Sequence, residues 1–314
     1  MTTDTHRMRA AAIRSGARAA TGRVGLLPSE TASPVSQGHR DDATGWVARL
    51  ELGYESRAGR TVVARRSQMG PLAVQKALYP ETGAICQSVV LHPPAGIAGG
   101  DQLDLSVSVD VDAHAQLVTP GAARWYRSAG ARARQRVVFA LGAGAKAEWL
   151  PQENIVFDGA IAETELCVEL AAGAAWIGWE IFCLGRTSAG ERFERGVLRQ
   201  RTQITRDSVP QWLEHGVVHS ASRLRTAAPC LHGRSVFGTL LAAAEHVPEA
   251  LLRSCREIRC IDGELGITKV PGVLAVRYLG NSTEEARQCF AGVWSKLRPP
   301  LLGRDAVAPR IWST

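Results

Sequence analysis

From Leu103 to Asp112 apolar and polar side chains alternate without interruption. Leu103, Leu105, Val107, Val109 and Val111 share one face, and Asp104, Ser106, Ser108, Asp110 and Asp112 share the other. Side chains of a strand point to opposite faces with period two, so the pattern predicts a half-buried antiparallel strand over 103–111. A turn-rich segment, His92-Pro93-Pro94-Ala95-Gly96-Ile97-Ala98-Gly99-Gly100-Asp101, leads into it. Farther on, Thr119-Pro120-Gly121 places Pro and Gly where a type II turn favours them.

A small-residue corner then recurs as Ala113-His114-Ala115, Ala143-Gly144-Ala145 and Ala172-Gly173-Ala174, at spacings of 30 and 29 residues. A β-branched or leucine-rich run precedes each corner (103–111, 137–141, 166–170), and another strand follows it. Self-similarity at this period predicts stacked sheet units, each covering the apolar face of the next. In register, Thr119-Pro120, Leu150-Pro151-Gln152-Glu153 and Trp179-Glu180 come to one end of the stack. Further strands are expected at 46–52, 60–65, 196–205, 211–219, 235–244 and 272–279.

Two helices close the chain. Pro248 opens the first, expected over 249–258. Ser282 and Glu285 form a capping box for the second, which carries Cys289, Phe290, Val293, Trp294 and Leu297 on one face until Pro299-Pro300 stops it. The expected fold is mainly β: stacked, β-helix-like sheets with two C-terminal helices.

At 314 residues, 45% hydrophobic and 21% charged, the chain has an ordinary globular composition. No apolar run approaches the roughly 20 residues of a membrane helix, so no membrane role is expected. The net charge of +7 is uneven: residues 1–40 hold six arginines against Asp4 and Glu30, leaving only +3 for the rest. That residue argues against nucleic-acid binding, which needs positive charge concentrated on the folded part. Residues 1–40 read as a disordered extension, and 41–314 as a single β domain. Seven cysteines without a CxxC fit reduced core thiols in the cytoplasm.

The usual catalytic signatures are missing. GIAGGD lacks the dinucleotide spacing, and neither GxxxxGK[ST], GxSxG nor HExxH occurs. Four acids stand out instead. Glu153, Asp158, Glu180 and Glu214 each sit in an apolar or aromatic neighbourhood, where a carboxylate is costly unless it is paired or used. Pairing with arginine is one reading; lining a polar passage that hands an ion along is the other. His215 and His219 fall on one side of a strand about 13 Å apart, too far to chelate one ion. Arg124-Trp125-Tyr126-Arg127 has the composition of a protein interface or a packed core plug.

Several of these segments, HPPAGIAGGD, TPGAARWYRS, WLPQENIVFDGA and LLGRDAVAPRIW, resemble the UreD (UreH) family of urease accessory proteins, in the family's order and over nearly the whole chain. The resemblance implies a non-catalytic chaperone that binds apo-urease and UreF, with UreG docking through UreF and the assembly dimeric through UreF. It also implies an internal tunnel for transient Ni2+, with no permanently bound cofactor. Carried onto this chain, Thr119, Glu153, Asp158, Glu180, Glu214 and His215 are the candidates for the nickel path. Arg124, Trp125, Tyr126, Arg127, Phe290, Trp294, Arg310 and Trp312 are the candidates for partner contacts, with 284–312 facing UreF. Two other classes compete: a stacked-β hydrolase using two acids on a polymer, and an interaction scaffold without a passage.

Overall fold

Three corners share one backbone device. Asp112, Gly144 and Gly173 adopt left-handed conformations with φ of 56°, 66° and 71°. The next residue closes each turn: Ala113, Ala145 and Ala174 donate to the carbonyls of Asp110, Gly142 and Ala171 at 3.0–3.1 Å. Successive corners are laced together by Asp112 N–H to Ala143 O and Gly144 N–H to Ala172 O. In this computed structural model, which describes residues 45–81 and 84–313, the corners join the turns of a parallel coil. The extension expected over 1–40 lies outside the described residues.

The described part of the chain opens with an antiparallel hairpin, β1 (Val47–Arg57) and β2 (Arg60–Met69). Short β3 (Ala73–Val74) pairs antiparallel with β4 (Ile85–Leu91). Winding then proceeds through β5 (Gly96–Ile97), β6 (Gln102–Val109), β7 (His114–Val118) and β8 (Ala123–Trp125). It continues through β9 (Ala133–Leu141), β10 (Lys146–Leu150), β11 (Asn154–Val156), β12 (Ile161–Leu170), β13 (Ala175–Leu184) and β14 (Val197–Arg206). Antiparallel partners finish both sheets: β15 (Val209–His219), β16 (Val236–Ala243), β17 (Glu264–Val270) and β18 (Val273–Gly280). Helix α1 (Glu249–Cys255) precedes β17, and α2 (Thr283–Leu302) follows β18.

The first sheet has the order β15-β14-β12-β9-β6-β1-β2; the second runs β17-β18-β16-β13-β10-β7-β4-β3. Strands β5, β8 and β11 form a short third side of the coil. Between the sheets lies a core containing Leu50, Leu105, Phe139, Trp149, Trp176 and Phe182. A separate core, with Trp179, Leu240, Phe290, Trp294 and Leu297, glues α2 to the back of the second sheet. The outer face of the first sheet meets water, where Arg132–Glu163 (2.9 Å) and Arg134–Glu165 (2.8 Å) occupy the polar phase. The more exposed of the two, Arg132–Glu163, contributes at most about 1 kcal/mol. No helix among the described residues is long and apolar enough to cross a membrane.

Several expectations change. Strand β6 is parallel to both neighbours, because a coil sets each strand beside its counterpart one turn later, running the same way. Val111 leaves the apolar row: the strand ends at Val109, and Val111 sits in the corner, 57% exposed. The coil register pairs His114 with Lys146 and Lys146 with Ala175, so the spacings are 32 and 29. What aligns is the left-handed residue, and Asp112 takes that role where the later coils have glycine. Gly121 has no positive φ, so Thr119-Pro120-Gly121 is not a type II turn.

The helices depart too. Helix α1 ends at Cys255, three residues early. Helix α2 runs through Pro299-Pro300 and stops at Gly303 (φ 68°), whose N–H bonds Pro299 O. The prolines fall in the last turn, and the carbonyls they leave unbonded, those of Ser295 and Lys296, lie on its wetter side. Only half of the capping box forms. Ser282 Oγ accepts from Glu285 N–H at 3.1 Å. The Glu285 carboxylate turns away to the backbone N–H groups of Ile261, Asp262 and Gly263 and to the Tyr278 hydroxyl.

Candidate functional site

Strand β13 is buried at every position except Glu180, which is half-buried. Cross-strand pairing places Glu180 beside Thr239 of β16, and Thr239 beside Arg277 of β18. In the other direction the parallel register extends the row to Pro151, two residues past the Trp149–Gly178 pair, and on to Thr119, one residue past the Leu150–Val118 pair. Thr119 Oγ1 accepts from Gln152 N–H at 2.9 Å, tying successive coils at this level.

The opposite sheet answers with a polar row of its own. Gln135 of β9, Thr164 of β12, Gln200 of β14 and Gly216 of β15 are successive partners. Their neighbours on the same inward face are Ala162, Leu166, Val137 and Leu198, all buried. Two polar rows therefore face each other through an otherwise apolar interior.

Two cavities follow these rows. One, of about 50 Å³, is lined by Glu180, Gln200, Thr202, Glu214, Thr239 and Arg277, with Trp176 and Leu166. The other, of about 160 Å³, is lined by His92, Thr119, Gln135, Pro151, Asn154 and Glu180, with Leu103 and Leu105. Glu180 belongs to both walls. Burial, and secondarily the charge of Glu214, pushes its carboxyl up to about 8. No hydrogen bond or ion pair satisfies that carboxyl among the described residues. Thr164 Oγ1 and Trp176 Nε1 are buried and likewise without a partner there.

At the far end of the smaller cavity Glu214 accepts from Arg277 Nη1 at 2.7 Å and from Trp212 Nε1 at 3.3 Å. Arg277 Nη1 also donates to Thr239 Oγ1 at 3.2 Å. The side chains of Arg277 and Glu214 keep 50% and 30% of their surface, so this end reaches solvent. Burial lowers the pKa of His92 on the larger cavity, against a smaller raising effect from Asp101.

The predicted acids thus separate. Glu180 and Glu214 share a cavity, and Thr119 and Glu180 share the other. Glu153 is half-buried and lies on neither wall; its charge bears on the Cys183 thiol instead. Asp158 is a clip for the 191–196 segment: it accepts from Glu194 and Arg195 N–H and from the Arg195 guanidinium. Burial opposes its ionisation, but those bonds outweigh it and hold its carboxyl below the usual range. His215 is exposed on the outer face, away from Glu214. Its removal from the path follows from strand alternation.

The interface candidates separate as well. Trp125 is fully buried and donates to Asn154 Oδ1 at 3.0 Å, the core-plug outcome. Arg124, Tyr126 and Arg127 remain exposed. Phe290 and Trp294 are buried under α2, which removes them from any surface. Arg310 is exposed, while Trp312 packs on Trp179 and Trp294 at ring separations of 5.6 and 5.5 Å.

Sequence reasoning missed His92, Gln135, Thr164, Gln200, Thr239 and Arg277. Strand parity could have marked Gln135, Thr164 and Gln200 as polar residues in the apolar phase of their strands, but not which rows they would face. Among the described residues no group of three or more His, Cys, Asp or Glu could hold a metal. The arrangement suits passage of a small polar species, with single donors spaced along a wall and no closed ligand set to trap it.

A family model described as UreD urease accessory protein matches residues 47–313. The urease accessory protein UreD of Dechloromonas aromatica (strain RCB) is 51% identical over 285 residues, covering 90% of this chain and 98% of the relative. UreD of Azoarcus sp. (strain BH72) is 49% identical over 270 residues, 86% and 95% of the two chains. A two-sheet coil with two polar rows facing each other across an apolar interior, matched by the family model over residues 47–313, belongs to the UreD family of urease accessory proteins.

Proposed function

We propose that this chain is a non-catalytic urease maturation factor of the cytoplasm that conducts Ni2+ between an accessory complex and apo-urease. The observation that carries this reading is Glu180, a carboxyl without a partner among the described residues on the common wall of two cavities. A carboxyl held near pH 8 is mostly protonated at neutral pH and ionises when a divalent cation arrives. It binds the cargo only in transit. The ion is substrate here, and Thr119, Glu180 and Glu214 are the groups it meets.

UreF is the expected partner at the C-terminal end, where Arg310 and the edge of Trp312 remain accessible, with UreG joined through UreF. Arg124, Tyr126 and Arg127 offer a second exposed aromatic and basic surface for a protein partner. Hydrolysis of a polymer has no support from this geometry. The cavity shared by Glu180 and Glu214 has about 50 Å³, room for water or a small ion rather than a sugar.

The test is the Glu180→Ala, Glu214→Ala double variant, co-expressed with urease and the other accessory proteins. The expected result is an intact accessory complex by pull-down and urease with reduced nickel content by metal analysis. Full nickel loading with the double variant rejects the conduit.

A further inference from the structure

The smaller cavity contains a cation of its own. Arg277 lines it between two carboxyls: Glu214, 2.7 Å from Nη1, and Glu180, two strands away along the same cross-strand row. Thr239, the residue between them in that row, accepts a second bond from the same nitrogen. Trp212 completes the holder, with its indole N–H on Glu214 and its ring centroid 5.9 Å from the guanidinium carbon. A guanidinium is charged at every physiological pH and cannot switch itself off by losing a proton.

We infer that Arg277 is the resident competitor for the travelling cation: it occupies the Glu214 carboxylate and closes this end of the passage until it is displaced. The inference rests on the conduit reading and adds its control. Like charges a few ångströms apart repel, so an incoming divalent ion and Arg277 cannot share Glu214. Displacement needs no rearrangement of the fold. Half of the Arg277 side chain already faces solvent, and its stem emerges from a sheet position fixed on both sides by β16 and β17. A protein partner that offers an acidic group at this edge would draw the guanidinium outward and open the path. Delivery would then be coupled to docking, and stray cations would be kept out of the free chain.

The arrangement makes the arginine a specificity-determining residue rather than a ligand. Its removal should strengthen cation binding, where loss of a ligand would weaken it. A purely structural ion pair predicts neither.

The experiment is equilibrium dialysis of the full chain with Ni2+ as probe, beside nickel loading of urease in co-expression. Arg277→Gln is expected to raise Ni2+ affinity about tenfold, the order expected for removing one neighbouring charge. Arg277→Lys should keep the low affinity of the parent, and Arg277→Gln with Glu214→Gln should lose the gain. In the full accessory complex Arg277→Gln should load urease at least as well as the parent chain. Unchanged Ni2+ affinity in folded Arg277→Gln, verified by circular dichroism, overturns the competitor role. If that happens while Glu180→Ala with Glu214→Ala still blocks loading, the conduit stands without this gate. If neither set of variants alters binding or loading, both readings fall.

Discussion

Arg298 Nε lies 3.1 Å from Glu148 Oε2, and both side chains are fully buried although 150 residues separate them. Glu148 also accepts from Trp294 Nε1 at 2.7 Å, and His114 Nε2 lies 2.9 Å from its other oxygen. The arginine reaches on to Glu81 with two bonds of 2.7 and 2.8 Å. One network therefore bolts α2 to β7, β10 and the segment before β4. Burial alone would raise the Glu148 pKa. The His114 bond and charge, with the charge of Arg298, outweigh it and keep the carboxyl below its usual range.

Truncating Arg298 should be among the most damaging single changes in the molecule. Arg298→Ala leaves the Glu148 carboxylate buried without the guanidinium that bridges it to Glu81, a loss of roughly 3–5 kcal/mol. Trp294→Phe removes one hydrogen bond to the same group and should cost about 1–3 kcal/mol. Urea unfolding followed by tryptophan fluorescence checks both; near-equal midpoints for Arg298→Ala and the parent would contradict the bolt.

Acid should loosen the same attachment. Glu148 and Glu285 both have lowered pKa values, the second because bonds from Tyr278 and three backbone N–H groups outweigh its burial. A lowered folded-state pKa contributes stability that is present above the unfolded carboxylate value and lost as pH falls through the folded one. Melting temperature should therefore hold above about pH 5 and drop below about pH 4. Glu285→Gln should show a smaller drop over that window than the parent, in thermal scans from pH 3 to 7.

Glu180 carries the opposite sign. Its carboxyl is raised from 4.5 to about 8, so its favourable contribution is complete below the unfolded value and fades as pH rises through the folded one. Relative to Glu180→Gln, the parent chain should lose stability between pH 4.5 and 8, by up to about 1.4 kcal/mol per pH unit, and level off above. Unfolding midpoints of the two proteins across that range settle it; a constant difference would mean that Glu180 is ionised throughout.

How far the sequence discloses the fold depends on what a local signal can encode. The alternation from Leu103 to Val109 announces β6, because burial of one face acts on each residue separately. Corners were visible as small residues, yet their register was misplaced by two. Ala113-His114-Ala115 imitates the later Ala-Gly-Ala only in composition, while the left-handed position belongs to Asp112. Glu180 could be singled out by its apolar surroundings, and Asp158 looked the same by that measure although Arg195 satisfies it. The difference lies in partners 37 residues away. Arg298 and Glu148 gave no local sign at all, since each is ordinary until the helix packs onto the coil.

The corner itself is testable. A Cβ on Gly144 would come within 2.5 Å of Asp112 Oδ1, and its φ of 66° disfavours any β-branched residue. Gly144→Val should destabilise by about 2 kcal/mol or more. Asp112→Asn, which tolerates the same conformation, should be nearly neutral. Thermal unfolding of the two variants separates backbone strain from the loss of a charge.

Thr164 tests whether the two polar rows face a solvated interior. Its Oγ1 is buried without a partner among the described residues, between Gln135 on one cavity and Gln200 on the other. Thr164→Val keeps the shape and replaces the hydroxyl with a methyl. In a dry interior the change relieves an unsatisfied polar group and should stabilise by about 1–3 kcal/mol. Where solvent bridges the two cavities, the hydroxyl is already satisfied and nothing is gained. The passage reading therefore predicts an unchanged or slightly lowered melting temperature for Thr164→Val, together with slower nickel loading of urease. A clear rise in melting temperature with normal loading would mean that the cavities are separate, dry pockets on either side of Glu180.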